Sequence, residues 1–268
     1  MDGAGAQPKV RTEIQDGIGI ATLSDPATLN AGGPQLMDEL RTAFDGFVAD
    51  PRVRAIVITG EGRGFCSGAN LQDGPNGTVL DSPPGQANEG LLKVANPFVS
   101  AIRRSPKPVV AAVNGVAAGM GVSIALACDL LVAAQSASFV LAFRRIGLVP
   151  DAGATYLLPR LVGKVRAMEL MLLGEKLSAA TALEWGLINR CVPDEDLMPS
   201  TMELARALAE GPASLGLTRN LVWASLDAAW HEQLEREAFT QGDASRTADA
   251  KEGVAAFKAK RPARFTGA

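Results

Sequence analysis

An alternating pattern of apolar and polar residues near the start of the chain predicts a β-hairpin. Val10 to Gln15 and Ile18 to Leu23 have the composition of strands, and the Asp16-Gly17 pair between them is a two-residue turn signal. Leu36 to Ala49 then carries apolar side chains at helical spacing and stops before Asp50-Pro51. This stretch predicts a helix with one apolar face.

Short β-branched runs then alternate with helical stretches. The predicted strands cover Val53 to Thr59, Pro108 to Val113, Leu130 to Ala133 and Ser138 to Leu141. A helix is predicted from Met120, and a helical tail follows Pro193. Its segments are Leu197 to Ala209, Ser214 to Ala229 and Glu232 to Thr240. The alternation predicts an α/β fold, but periodicity alone does not distinguish a spiral of ββα turns from a doubly wound sheet.

Composition and charge exclude several classes of protein. The chain has 268 residues, of which 47% are hydrophobic, so it can fill a sizeable core. A net charge of -3 argues against general affinity for nucleic acid or for anionic membranes. The apolar run from Val109 to Ala134 is interrupted by Asn114, Ser123 and Asp129, which argues against a membrane span. We therefore expect no nucleic-acid partner and no membrane partner.

The three cysteines do not indicate a disulfide framework or a zinc site. Cys66, Cys128 and Cys191 are odd in number, are widely spaced and include no CxxC pair. We expect no metal. The N-terminal residues lack the apolar core of a signal peptide. A reducing compartment, and hence a cytoplasmic location, is the expectation.

Two glycine-rich corners carry the main functional signal. Gly64 to Leu71 and Asn114 to Gly121 each follow a β-branched strand, and the second runs into a helical stretch. Glycine permits sharp turns and close approach of a ligand, so each corner can aim a peptide N–H at one oxygen. A helix N-terminus adds partial positive charge at the second corner. The pattern predicts an oxyanion hole for a carbonyl that becomes an enolate.

These corners resemble those of the crotonase, or enoyl-CoA hydratase/isomerase, superfamily. The resemblance runs from about Val10 to Thr266 and also rests on three further segments. They are Asp25 to Ala31, Arg145 to Gly153 and Glu252 to Phe257. The resemblance implies a crotonase-like spiral of ββα turns over residues 1–195 and a C-terminal helical trimerisation region over residues 196–268. It also implies that the oxyanion donors are the amides of Ala69 and Met120.

The same resemblance bears on the reaction. Hydratases of the family hold a water between two glutamates, and those positions here are Ser123 and Phe143. Neither side chain is a carboxylate, so alkene hydration is disfavoured. Asp151 stands where isomerases of the family carry an aspartate. One base there could remove a proton beside the thioester and return it at another carbon. The alternative is that Asp151 only caps the helix that follows.

The apolar residues Phe143, Ile146 and Val149 are expected to surround Asp151 and raise its pKa.

The resemblance further places Phe143, Ser123 and Leu71 in the acyl pocket, and assigns CoA contacts to Ala31, Phe257 and Lys260. Phe257 and Lys260 belong to a basic cluster with Lys258 and Arg261, which could equally be a solvated helix end. We expect no separate cofactor, because CoA is part of the substrate, and a homotrimer or hexamer.

Other chemically suggestive residues have simpler interpretations. His231 matches no catalytic motif, Cys66 favours small-residue packing, and Asp129 favours a structural hydrogen bond. The glycine-rich loop from Gly60 to Gly64 lacks the lysine of a P-loop. It is interpreted as a turn.

The resulting hypothesis is an acyl-CoA isomerase that moves a double bond or rearranges a ring epoxide. Three alternatives stay open: a hydratase-like enzyme, a hydrolytic or dehalogenating acyl-CoA enzyme in which Asp151 acts as a nucleophile, and a non-catalytic acyl-CoA-binding homologue. Gln72 to Asn88, rich in glycine and proline, is expected to form a mobile loop over the acyl pocket.

Overall fold

A computed structural model describes residues 7–70 and 89–268 of the chain. The predicted hairpin is present: β1 (Val10–Gln15) pairs antiparallel with β2 (Ile18–Leu23). Asp16 and Gly17 have φ values of 51° and 77°, as a tight two-residue turn requires. Leu71 and the predicted loop from Gln72 to Asn88 lie outside the described residues.

Ten strands of the described chain form two sheets. The remaining strands are β3 (Ala55–Gly60), β4 (Gly64–Cys66), β5 (Val109–Val113), β6 (Val116–Ala118), β7 (Leu130–Ala134), β8 (Ser138–Val140), β9 (Lys176–Ser178) and β10 (Arg190–Val192). The larger sheet has the order β1-β2-β3-β5-β7-β10 and the smaller one has the order β4-β6-β8-β9. Pairing is parallel except for β1 with β2 and β8 with β9.

The order of the strands reveals a spiral. The consecutive pairs β3 and β4, β5 and β6, and β7 and β8 each give one strand to the larger sheet and the next to the smaller. A helical segment follows each pair, so the chain repeats a ββα turn. This confirms the predicted fold class. Every residue of β3 and β5 is buried, as expected for parallel strands covered on both faces.

Nine α-helices are assigned in the described residues. They are α1 (Pro34–Ala49), α2 (Asn96–Arg103), α3 (Met120–Ala127), α4 (Ala154–Leu173), α5 (Ala179–Glu184), α6 (Leu197–Ala209), α7 (Ser214–Ser225), α8 (Trp230–Ala244) and α9 (Ala248–Ala259). A π-helical turn over Leu91–Ala95 leads into α2. Helix α6 packs on β3, β5 and β7 of the larger sheet, and α7 packs on α8.

Helix α3 lies at the centre of the molecule. All of its eight residues are buried, and it contacts α2, α4, β4 and β6. Its sequence is therefore apolar around the whole circumference, as a fully enclosed helix requires. The first turn of α3 adjoins the second glycine-rich corner, so the fold places this corner beside the core rather than in a free loop.

Helix α4 is longer than its sequence predicts. The pattern after Asp151 predicts a helix over Ala154 to Leu161, whereas α4 runs from Ala154 to Leu173 with Gly163 in a non-helical conformation inside it. A φ of 80° at Gly163 divides it into two segments.

Among the described residues, no helix combines the length and apolarity needed to cross a membrane.

Candidate active site

The amide of Met120 emerges from the N-terminus of α3. The carbonyl of Gly119 accepts the N–H groups of Val122 at 3.0 Å and Ser123 at 3.4 Å, so it points along the helix. In a trans peptide the next N–H points the opposite way, and the amide of Met120 is therefore directed out of the helix. Within residues 7–70 and 89–268, this N–H has no acceptor.

The amide of Ala69 is oriented by the same rule at the first corner. The N–H of Gly32 donates to the carbonyl of Gly68 at 2.7 Å. The Ala69 N–H belongs to the peptide unit of that carbonyl, so it points away from Gly32. No acceptor for it occurs in the part of the chain that the structure describes, and Ala69 is exposed. Both predicted donors thus lack an acceptor among the described residues, as the prediction requires.

Two glycines allow the corners to touch. Gly68 has a φ of 96°, and a Cβ atom on it would lie 3.0 Å from the carbonyl oxygen of Ala118 in the second corner. A Cβ atom on Gly121 would lie 2.2 Å from the carbonyl oxygen of Cys66, so only glycine lets α3 approach β4 this closely. The two amides stand on adjoining segments. A shared oxyanion hole remains a prediction that this packing favours.

Phe143 lies against the second corner. It belongs to a 3₁₀ turn, Ala142–Ile146, and its ring Cζ is 3.6 Å from where a Cβ of Gly119 would stand. The ring is buried, so it places apolar atoms at the position where the resemblance implies a glutamate in hydratases. Its predicted place in the acyl pocket is consistent with this contact but stays a prediction.

The expected apolar enclosure of Asp151 is only partly present. Ile146 and Val149 are 42% and 78% exposed, unlike Phe143. The reason is that the chain leaves the core after the 3₁₀ turn, where Gly147 adopts a left-handed φ of 71°. Side chains this exposed do not form a closed apolar enclosure, and their contact with the carboxyl stays a prediction.

Asp151 is nevertheless partly desolvated. Its carboxyl oxygen Oδ1 is buried and has no hydrogen-bond partner among the described residues. Burial raises the pKa of this carboxyl from its ordinary 3.8 to about 6. Helix α4 begins at Ala154, its N-cap is Gly153, and no side chain caps it. The carboxyl of Asp151 is thus a half-buried acid without a capping bond, which is the condition expected of a general base.

Ser123 contacts the segment that carries Asp151. Its side chain is fully buried on α3, and its Oγ donates to the main-chain carbonyl of Asp151 at 3.0 Å. The expected role in the acyl pocket gave no hint of this bond. A sequence signal for it is hard to find, because a serine inside an apolar helix has many potential acceptors. Ser123 brings Asp151 to the helix whose first amide is that of Met120.

The residues predicted to contact CoA lie in two places. Ala31 is buried and precedes Gly32, which forms a parallel bridge with Ala69, so it adjoins the first corner. Phe257 is 85% exposed on α9, and Lys260 is exposed just after it. No hydrogen bond or ion pair among the described residues joins this end of α9 to Ala31.

The basic cluster at the end of α9 is smaller than its sequence indicates. Arg261 forms a two-pronged ion pair with Glu252, at 2.6 and 2.8 Å. Its charge is therefore compensated within the chain. Lys258 and Lys260 are the cations of the cluster for which no ion pair is found in the described residues.

Asn30 has a structural role at the site that the sequence pattern did not predict. The fully buried side chain of Asn30 donates to the carbonyls of Glu61 and Gly64, and its Oδ1 accepts the N–H of Asp25. This side chain ties the turn before Ala31 to the loop before β4. It fixes the entrance of the first corner by bonds that span more than 30 residues, which local pattern cannot indicate.

The remaining chemically suggestive residues have structural surroundings. Cys66 is buried, and burial raises the pKa of its thiol to about 11, which makes it a poor nucleophile. Asp129 accepts hydrogen bonds from Arg219 at 2.5 Å and from the Trp223 indole at 2.7 Å. His231 is exposed on α8. The described residues contain no group of three or more side chains placed to hold a metal ion.

Comparison with known proteins decides the family. Residues 13–268 match the family model described as enoyl-CoA hydratase/isomerase. The chain belongs to the enoyl-CoA hydratase/isomerase family. Over 262 residues it is 41% identical to the 1,2-epoxyphenylacetyl-CoA isomerase of Escherichia coli (strain K12), which covers 96% of this chain and 98% of that protein.

Two further similarities in this family carry other names. A 4-chlorobenzoyl coenzyme A dehalogenase of Arthrobacter sp is 36% identical over 214 residues, covering 80% of this chain and 77% of that protein. The crystal structure of an enoyl-CoA hydratase from Polaromonas sp. JS666 has a TM-score of 0.88 at 34% identity, covering 96% of this chain and 99% of that one. Membership of the family therefore fixes an acyl-CoA enzyme scaffold but not the reaction.

Proposed function

We propose that this protein is an acyl-CoA isomerase that uses one aspartate base, Asp151. The observation that carries the proposal is the state of this carboxyl, which has a buried, unpartnered oxygen and a pKa raised to about 6. The main-chain carbonyl of Asp151 is bonded through Ser123 to the helix whose N-terminal amide has no acceptor among the described residues. Ser123 and Phe143, at the positions of the hydratase glutamates, carry no second carboxylate.

The reaction needs only these groups. The thioester carbonyl would accept the N–H groups of Ala69 and Met120, which stabilise the negative charge of an enolate. Asp151, ionised above pH 6, would take a proton from a carbon conjugated to that carbonyl. It would then return the same proton to another carbon of the dienolate. A double bond moves, no atom is gained or lost, and no separate cofactor takes part.

The identity of the acyl group in the substrate is the more specific part of the proposal. The E. coli relative is named for 1,2-epoxyphenylacetyl-CoA, so ring-epoxide rearrangement and double-bond migration both belong in the substrate panel. Each of the two reactions begins with a thioester whose carbonyl must be polarised. Measuring both against one enzyme preparation identifies the substrate class, because the ratio of kcat/KM values reports transition-state preference directly.

The test of the base is Asp151→Asn. We expect isomerisation of 3-enoyl-CoA to 2-enoyl-CoA to slow by roughly two to four orders of magnitude, the usual worth of a positioned general base, with CoA affinity retained. The conjugated product is followed by its ultraviolet absorbance. Asp45→Asn, on the exposed side of α1, is the control and should leave kcat unchanged. Near-normal turnover in Asp151→Asn would refute the one-base mechanism.

The rival chemistries predict other products from the same protein. Hydration of crotonyl-CoA should be negligible, since Ser123 and Phe143 supply no carboxylate to hold a water. Efficient hydration would reject the proposal. A hydrolytic enzyme would leave an ester on Asp151 that mass spectrometry detects after trapping. Binding of acyl-CoA without turnover of any panel member would identify a non-catalytic homologue.

The proposal includes assembly into a homotrimer or hexamer through residues 196–268. Large apolar side chains on the outer faces of α8 and α9 support it. They are Trp230, Phe239, Val254 and Phe257, each more than half exposed in the single chain. Helices in this position gain stability when such side chains are covered by a second copy. Sedimentation velocity measures the state, and a monomer at micromolar concentration would contradict it.

Phe257 and Lys260 are proposed to reach the CoA of a neighbouring copy. Phe257→Ala and Lys260→Ala should weaken CoA affinity, and the effect of Lys260→Ala should diminish as salt rises, because screening weakens exposed charge pairs. Lys251→Ala removes an exposed cation two turns earlier on α9 and serves as the control. Unchanged CoA affinity in both variants would mean that Phe257 and Lys260 do not contact CoA and that the end of α9 is only a charged surface.

A further inference from the structure

The turn that follows Asp151 has an unusual main-chain conformation. Ala152 has a φ of 47° and Gly153 has a φ of 87°, so two consecutive residues are left-handed. Alanine seldom adopts this conformation, because its Cβ crowds the neighbouring carbonyl. Such a turn persists only when the surrounding structure holds it in place. The contacts of this turn therefore identify what fixes the direction of Asp151.

Two hydrogen bonds meet at the main-chain carbonyl of Asp151. The Oγ of Ser123 donates to it at 3.0 Å, and the N–H of Ala154 donates to it at 3.0 Å. The methyl group of Ala152 is buried beside them. The second bond lies within the turn itself. The bond from Ser123 is the one that ties the turn to a different element, the buried helix α3.

No hydrogen bond from the described residues to the buried oxygen of the Asp151 carboxyl fixes the orientation of this side chain. Its Oδ1 is buried and has no partner in the described part of the chain. No hydrogen bond from a described residue reaches that atom, so the direction of the side chain depends on the main chain that carries it. That main chain is anchored at Ser123, three residues after Met120. At a rise of about 1.5 Å per residue, the anchor stands roughly 4.5 Å along the helix from the Met120 amide.

We propose that Ser123 is a positioning residue for the reaction, holding the main chain of Asp151 on α3 so that its carboxyl faces the reacting carbons. This inference rests on the proposed function, since it assumes that Asp151 is the base. The hydroxyl is fully buried and its bond goes to the main-chain carbonyl of Asp151, so in this proposal it holds the base and does not contact the substrate. It sets the distance between two groups that must together span the acyl group: the oxyanion amide, which belongs to α3, and the base, whose main chain is tied to α3.

The direct test is Ser123→Ala. We expect kcat for isomerisation to fall about 10- to 100-fold with little change in KM, because a displacement of about 1 Å in a catalytic group costs up to about 100-fold. Ser105→Ala is the matched control. Ser105 is also buried, and its Oγ donates to a main-chain carbonyl, that of Lys107, at 2.8 Å. It should lose a similar amount of stability and keep kcat within about twofold.

A double-mutant cycle separates positioning from general damage. In the Asp151→Asn background, Ser123→Ala should leave the residual rate unchanged, because no base remains to be positioned. An equal proportional loss in both backgrounds, or normal kcat in Ser123→Ala, would overturn the inference. If the alanine variant does not fold, Ser123→Cys fills the same space with a weaker donor and takes its place in the cycle.

Two outcomes distinguish this inference from the proposed function. Full activity in Asp151→Asn would reject the base and this positioning role together. Loss of activity in Asp151→Asn with full activity in Ser123→Ala would reject the positioning role alone. The pH profile adds a readout that a merely structural serine would not move: the acid limb of kcat should shift to lower pH in Ser123→Ala, as the released carboxyl gains water.

Discussion

Replacing Asp151 with asparagine should stabilise the folded protein at neutral pH while it removes the proposed base. The ionised carboxyl is costly to the fold because its Oδ1 is buried and has no hydrogen-bond partner among the described residues. Asparagine has nearly the same shape and carries no charge, so the desolvation penalty falls. Most substitutions at partly buried positions destabilise, which makes the opposite sign a specific expectation.

The magnitude follows from the pKa of Asp151. Burial raises it from 3.8, its ordinary value, to about 6 in the folded protein. A difference of one pKa unit corresponds to about 1.4 kcal/mol, so the full effect would be about 3 kcal/mol. Because the side chain is only partly enclosed and water screens the rest, we expect roughly 1 to 2 kcal/mol in the free energy of unfolding.

The pH dependence has a defined sign. Between pH 3.8 and about 6 the folded protein holds a proton on Asp151 that the unfolded chain has released. The free energy of unfolding therefore falls as pH rises through this window, and the penalty is constant above it. The stability advantage of Asp151→Asn should be absent near pH 4, grow through pH 5 and reach its plateau above pH 6.5 or thereabouts.

Urea denaturation at a series of pH values, followed by circular dichroism, measures both quantities. Asp45→Asn on the exposed side of α1 provides the reference and should stay within about 0.5 kcal/mol of the parent protein. A variant at Asp151 that is less stable than the parent at pH 8 would refute the reasoning. An advantage that is equally large at pH 4 would refute it as well, since it could not arise from ionisation.

Three further outcomes are expected. The kcat/KM of the parent protein should rise with pH through about 6 and then level off, because Asp151 must be ionised to take a proton. Gly121→Ala should cost about 1 to 3 kcal/mol of unfolding free energy and most of the activity, because the new Cβ would stand 2.2 Å from the Cys66 carbonyl oxygen. Arg219→Ala should cost about 3 to 5 kcal/mol, because it leaves Asp129 without its ion-pair partner, whose guanidinium is buried.

Each of these outcomes has a simple measurement. Initial rates between pH 5 and 8 give the profile, and a flat profile would exclude a base with this pKa. Thermal and urea denaturation give the two stability changes. A Gly121→Ala protein with parental stability would mean that α3 can move off β4. A fully stable Arg219→Ala protein would mean that the hydrogen bonds from the Trp223 indole and the Val109 N–H are enough to hold Asp129 without the ion pair.

Local sequence pattern predicted the elements well where side-chain periodicity decides them. The hairpin at Asp16-Gly17 is present, and α6 has the predicted bounds Leu197–Ala209. Predicted strands shifted at their ends, as at β3, which begins at Ala55 rather than Val53. Helix α7 ends at Ser225, earlier than the expected Ala229. The spiral itself came from resemblance, because strand order depends on contacts between distant residues.

The details of the site were harder to predict for the same reason. The bond from Ser123 to Asp151 joins residues 28 apart, and the bonds of Asn30 span more than 30. Val149 is an apolar residue beside Asp151 in sequence, yet it is exposed, because exposure depends on where the chain leaves the core. Arg261 adds to a basic run in sequence, but Glu252 compensates it in three dimensions.

At this site the proposed carbonyl activation uses main-chain groups and the proposed proton transfer uses a side chain, and this difference affects how the reaction can change. The amides proposed to polarise the carbonyl belong to Ala69 and Met120, and any substitution other than proline at either residue leaves its N–H in place. The proposed base, Asp151, is a single side chain on a partly exposed segment outside the central helix. Exchanging the residues at 123, 143 and 151 could therefore replace one reaction with another while carbonyl activation stays intact. A scaffold of this kind is a good starting point for directed evolution of new thioester chemistry.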